Sequence, residues 1–321
     1  MTNKVLALVI VVVVGLFTFY GYVTLDPDFG WHLKMGQLII TSGIPKTDSF
    51  SYTMPSFPFI DHEWASNVIL FRLYTLIGKI GLAFIFALLS ILAFLFTLSK
   101  KDLNFSLIPL LLSSVVLLPF SGIRPQTETW VLLAIFLKIL NNQKLWQKWR
   151  WGLPVFFTVW SNLHGGFTIG IVSLILFNLV LIWENRKAQF INWLITLLSI
   201  VATFINPYGF RVWEEVWRTV SDTNLRWSVA EWYPFLLFRI DFAFLLLLAF
   251  SLVFILKLRN HFTVFEKLLY GFLLVAGISS QRHVPLWLIA TLPILTKSLR
   301  LIYEETHNNK VKERRLKNWK K

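Results

Sequence analysis

Apolar residues run together along this chain in long blocks, with polar residues gathered at the joints between them. The blocks fall at roughly 5–23, 79–99, 105–121, 126–143, 150–164, 167–184, 190–205, 240–258, 264–280 and 284–302. Runs of this kind, recurring from end to end, predict transmembrane helices. The expected fold is an all-α polytopic membrane protein of about ten transmembrane helices, with both termini on one side. Two stretches read differently. Trp31–Ile40 (WHLKMGQLII) has helical apolar spacing broken by polar positions, which predicts a helix lying on the membrane surface. Residues 64–78 (WASNVILFRLYTLIG) are short for a crossing and interrupted by Arg72, and read as a second interfacial helix. Pro154 lies inside the short 150–164 block, where neighbouring helices can satisfy the freed carbonyl.

With 56% hydrophobic residues and a mean hydropathy of +0.63, 321 residues leave no room for a large soluble domain. The expected organisation is one transmembrane domain, 1–305, and a basic tail, 306–321. Its largest outer segments are 24–78 and 206–239. The apolar run after Lys4 leads straight into Leu25-Asp26-Pro27-Asp28 with no small-residue cleavage site, so it reads as a retained first span. The absence of Cys excludes disulfides and thiolate metal sites.

The net charge of +14 does not indicate nucleic acid, because of where the charge lies. The tail Lys310–Lys321 and the short loops on its side of the membrane hold 21 of the 31 Lys and Arg but six of the 17 Asp and Glu. Positive charge in such loops resists translocation and meets anionic lipid, which marks the cytoplasmic side. The expected location is therefore the plasma membrane, with both termini cytoplasmic.

The same assignment puts Asp26, Asp28, His32, His62, Glu63, Arg124, His164, Glu231, Arg282 and His283 on the extracytoplasmic face. Ionisable groups gathered at a lipid–water boundary read as a reaction site. Asp26-Pro27-Asp28 follows the first span directly. A partly desolvated carboxylate there gains basicity and suits a general base acting on a hydroxyl. The D-x-D spacing could also hold one divalent ion through Asp26 and Asp28; Asp28 as a cap of the Trp31–Ile40 helix is the plainer alternative, and its company of ionisable groups favours the base or metal ligand. Asp61-His62-Glu63-Trp64 opens the next helix, either as a capping sequence or as an acceptor-binding group with His32 and Glu231. Arg282, in Gln281-Arg282-His283, must find an anion between the last two spans, and a phosphate is the first choice. Arg124 can snorkel or bind phosphate through its planar fork. His164, in Asn162-Leu163-His164-Gly165-Gly166, would point into the mouth of the bundle, as a structural hydrogen-bonder or a site residue. Asn206-Pro207-Tyr208-Gly209 is a turn.

These motifs resemble the GT-C superfamily of membrane glycosyltransferases, such as protein mannosyltransferase-like and aminoarabinose transferase-like enzymes. The likeness rests on Asp26-Pro27-Asp28 after one span, the surface helix Trp31–Ile40, a Gly43-Ile44-Pro45 turn and His62-Glu63-Trp64. Arg124-Pro125-Gln126, the Asn162–Gly166 motif and Asn206–Gly209 extend it to a bacterial GT-C-like branch. The resemblance implies an inverting transferase that takes a sugar from a polyprenyl-phosphate donor to a lipid, glycan or protein acceptor. It implies Asp28 as catalytic base with Asp26 beside it, and Arg282, Arg124, His164 and His283 on the donor phosphate. Two features depart from the pattern: Phe29, not an acid, follows Asp28, and no soluble C-terminal domain is expected within these 321 residues. The rival readings are a ligase or polymerase that works through outer-loop Arg and His on a polyprenyl pyrophosphate, and a lipid or solute transporter without chemistry. Polar residues at helix ends and the lack of an internal repeat speak against the transporter.

Overall fold

A computed structural model describes residues 3–184, 190–238 and 241–319, and is 80% helical with no strand among the described residues. The elements are α1 (Asn3–Val23), α2 (Phe29–Ser42), α3 (Trp64–Thr97), α4 (Leu107–Leu117), α5 (Gln126–Leu140), α6 (Gln143–Trp149), α7 (Leu153–Leu163), α8 (Phe167–Trp183) and α9 (Phe190–Ala202). They continue with α10 (Arg211–Ser221), α11 (Thr223–Ser228), α12 (Phe235–Phe238), α13 (Phe242–Lys257), α14 (Val264–Ser279) and α15 (Val284–Trp319). Arg186 and Lys187 of the basic loops, and Lys320 and Lys321 of the tail, lie outside the described residues.

Each expected apolar block is helical. The segments Lys4–Val23, Trp64–Thr97 and Gln281–His307 are long and apolar enough to cross a membrane, and α8, α9 and α13 are apolar but shorter. With 11 residues, α7 reaches about 16 Å at 1.5 Å per residue, roughly half of a bilayer's hydrocarbon core. As expected, the 64–78 stretch is a helix distinct from the one that follows: it forms the first arm of α3, and Gly78, whose φ of 66° and ψ of −174° leave the helical region, separates it from the second arm. A side chain would strain that backbone, so the break sits at a glycine.

Apolar burial organises the bundle. On α1, Val13, Val14 and Phe17 face inward while Leu8, Val11, Leu16 and Phe19 stay exposed, an outward apolar face suited to lipid. The innermost layer includes Phe136, Phe157 and Trp160, with the last two rings stacked at 5.7 Å. Some buried hydroxyls are satisfied along their own helices, as where Ser90 donates to the Phe86 carbonyl and Thr291 to that of Trp287. One contact bears directly on the site. Gly36 of α2 lies so close to α3 that a Cβ there would stand 2.0 Å from the Asn67 carbonyl oxygen. The missing side chain lets α2 press its buried His32 against the first arm of α3.

The N-termini of α5, α8 and α15, the C-termini of α7 and α14, and the starts of α2 and α3 meet at one end of the bundle. The segment 203–238 folds over that end. Its 230–233 turn is pinned by the Gln281 amide N–H to the Tyr233 carbonyl (2.9 Å), the Gln281 side chain to the Ala230 carbonyl, and the Ser280 hydroxyl to the Glu231 carbonyl (3.2 Å).

Candidate functional site

Glu63 stands at the centre of this end. It precedes the first turn of α3, is buried, and is ringed by imidazoles. His164 Nε2 lies 3.2 Å from its Oε1, His62 Nε2 3.6 Å from the same oxygen, and His32 Nδ1 3.8 Å from Oε2. Burial alone would raise the Glu63 carboxyl. His62, His164, His32 and Arg282 outweigh that cost and hold it below the ordinary carboxylate range.

The surrounding hydrogen bonds fix how the rings are used. Asn67 donates its amide to Asp61 Oδ2 (2.8 Å), so its Oδ1, 2.7 Å from His32, must accept from His32 Nδ1–H. Asp61, buried below this chain, is itself pushed up by burial against the opposing pull of Asn67. The Gly166 amide donates to His164 Nδ1 at 2.9 Å, which leaves the ring proton on Nε2, facing Glu63. Thr129 Oγ1, 2.9 Å from the same Nδ1, is held in turn by the Trp160 indole N–H at 2.9 Å. His164 Nε2 makes no hydrogen bond, and neither do His283 Nδ1 and Gln126 Oε1. All three residues line a cavity of about 150 Å³ together with His62, Arg282 and Trp232. Polar side chains with spare hydrogen-bonding capacity on the wall of one cavity suit it to a polar ligand.

A second cavity, of about 200 Å³, adjoins the first and shares Gln126, Trp130 and Arg282 with it. Its charged wall is a chain of ion pairs. Asp26 Oδ2 lies 2.5 Å from Arg124 Nε, Arg124 donates to Glu231 at 2.8 Å, and the other Glu231 oxygen is 3.9 Å from Arg282. The Arg282 guanidinium sits 5.3 Å over the Trp232 ring, whose edge meets His283. Glu231 thus places a carboxylate between two guanidinium groups, at the position an incoming oxyanion would take.

Of the ten residues singled out from sequence, Asp26, His32, His62, Glu63, Arg124, His164, Glu231, Arg282 and His283 are brought together here. Asp28 is not. It precedes α2 exposed, makes no side-chain cap bond, and is absent from the walls of both cavities. It contributes its amide, which donates to Asp26 Oδ1 at 2.8 Å. The Arg124 guanidinium, 2.5 Å from Asp26, already supplies the positive charge that a divalent ion would bring there and opposes one by like charge. Among the described residues no group of three His, Asp or Glu side chains could hold a metal. Sequence reasoning missed Thr129, Asn67 and Trp160. A lone Asn in the apolar 64–78 stretch was the one available signal.

Comparisons with protein-family models, characterised proteins and solved structures find no match to this chain.

Proposed function

We propose that the chain is a polytopic membrane glycosyltransferase that moves a sugar from a polyprenyl-phosphate donor to an acceptor hydroxyl on the extracytoplasmic face, with inversion. The observation that carries this reading is the pairing of two adjoining cavities. One is walled by Arg124 and Arg282, the other by His62 backed by the buried Glu63. The donor phosphate displaces Glu231 and is held by the two guanidinium groups. The acceptor hydroxyl lies against His62. As its oxygen bonds to the anomeric carbon, the bond from that carbon to the phosphate oxygen breaks. The electron pair leaves with the phosphate, and the acceptor proton passes to His62. Glu63 stabilises the imidazolium, as a buried carboxylate does beside a catalytic histidine, while Arg282 and Arg124 stabilise the departing phosphate.

This reading moves the base from Asp28, where the family resemblance implies it, to His62 with Glu63. Transfer by purified protein tests the move. Glu63→Gln is expected to lower the rate by about 10²–10⁴-fold, and Asp28→Asn to leave it near wild type. The reverse order would return the role to Asp28. The Arg and His walls also favour a second reading, a polyprenyl pyrophosphate donor. Preferential binding of pyrophosphate over monophosphate by the wild-type protein would select it.

A further inference from the structure

Glu128 lies in the first turn of α5 and takes no part in the proposed chemistry. The start of a helix favours a negative side chain, so an ionised Glu128 would be the simple expectation. Ser66 opposes it. This serine is fully buried, and its Oγ has two oxygen partners, the Leu163 carbonyl at 2.7 Å and Glu128 Oε2. A hydroxyl has a single hydrogen to give. The Leu163 carbonyl, the last of α7, can only accept. Among the described residues no other donor reaches it, because the Phe167 amide turns to the His164 carbonyl and the Gly166 amide to the His164 ring. Ser66 therefore gives its hydrogen to Leu163, and the hydrogen between Ser66 and Glu128 must come from the carboxyl.

Each member of this trio adjoins a residue of the site. Ser66 precedes Asn67, which holds His32. Leu163 precedes His164, whose Nε2 faces Glu63. Glu128 precedes Thr129, which meets His164 at Nδ1. A charge on Glu128 would repel the Glu63 carboxylate. We infer that Glu128 is a protonated carboxylic acid that latches α5 to α3 and, through Ser66, to the end of α7, and is thereby a positioning residue that keeps His164 against Glu63. The cluster uses its two carboxyls in opposite states, Glu63 charged and Glu128 neutral. The kinetic consequence rests on the proposed transfer, whereas the proton and the latch do not.

Infrared difference spectra of the purified full chain at neutral pH, wild type minus Glu128→Gln, test the proton. A band of a protonated carboxylic acid is expected, and carboxylate bands in its place would overturn the inference. Thermal midpoints test the latch without reference to activity. Glu128→Ala should lower the midpoint, and Glu128→Gln, whose amide can donate to Ser66 as the acid does, should restore it. Equal midpoints for the two variants would overturn the latch. In transfer assays Glu128→Ala should lower the rate at saturating substrate about tenfold, the weight of one hydrogen bond, with KM unchanged. In a His164→Ala background it should lower the rate no further. An undiminished effect in that background would overturn the positioning role. If Glu128→Ala does not fold, Ser66→Ala replaces it with the same expectations. Wild-type protein that transfers no sugar would refute the proposed function, and the infrared and thermal results would still decide this inference.

Discussion

Glu63 holds its charge in a place where burial opposes charge, because three imidazoles and a guanidinium surround it. A carboxyl whose folded pKa is depressed stabilises the protein fully above its unfolded value, about 4.3, and loses that contribution as pH falls through the lower folded value. The thermal midpoint of the wild type should therefore drop on acidification below about pH 4, and Glu63→Gln should lack that component of the drop. Parallel pH profiles for the two proteins would contradict the charge assignment. The charged members of the site were legible in the sequence because ionisable residues stand out at the ends of apolar runs. Choosing between Asp26 and Asp28 was not possible there. Both flank Pro27, and only the folded turn shows that Arg124 takes one and solvent the other. Thr129 and Asn67 were illegible for a related reason. A polar residue in a helix acquires a role only when its partner, 35 residues away in each case, is known.

The first arm of α3 and the surface-spaced α2 form the platform for this cluster, and a glycine contact joins them. Gly36→Ala must drive α2 away from the Asn67 carbonyl, an overpacking that costs about 1–3 kcal/mol. It should lower the thermal midpoint and slow transfer together, since the same movement takes His32 from Asn67. Gly78→Ala acts on the backbone alone. Its positive φ with extended ψ is a region essentially reserved for glycine and costs about 1–3 kcal/mol with a side chain present, and activity per folded molecule should be retained. Apolar periodicity made the helices readable, and the boundary it set after residue 78 is where the backbone leaves the helical region, at Gly78, whereas Arg72 lies inside the first helix and interrupts nothing.

For the molecule as a whole, cavities of opposite character lie at the two ends of the same helices. The Glu63 end offers histidine and arginine walls, and the other offers balanced charge near exposed indoles. The chain contains no Cys, so single cysteines report sidedness without background. Tyr52→Cys, at a position 94% exposed, should be labelled from outside intact cells, and Lys148→Cys only after permeabilisation. Most direct is the binding of a short-chain polyprenyl phosphate to the purified protein. Wild type should bind it, Arg282→Gln should weaken binding by about tenfold or more, and Glu231→Gln, which removes the resident carboxylate between the guanidinium groups, should tighten it. Equal affinity in all three proteins would contradict a phosphate site at Arg124 and Arg282.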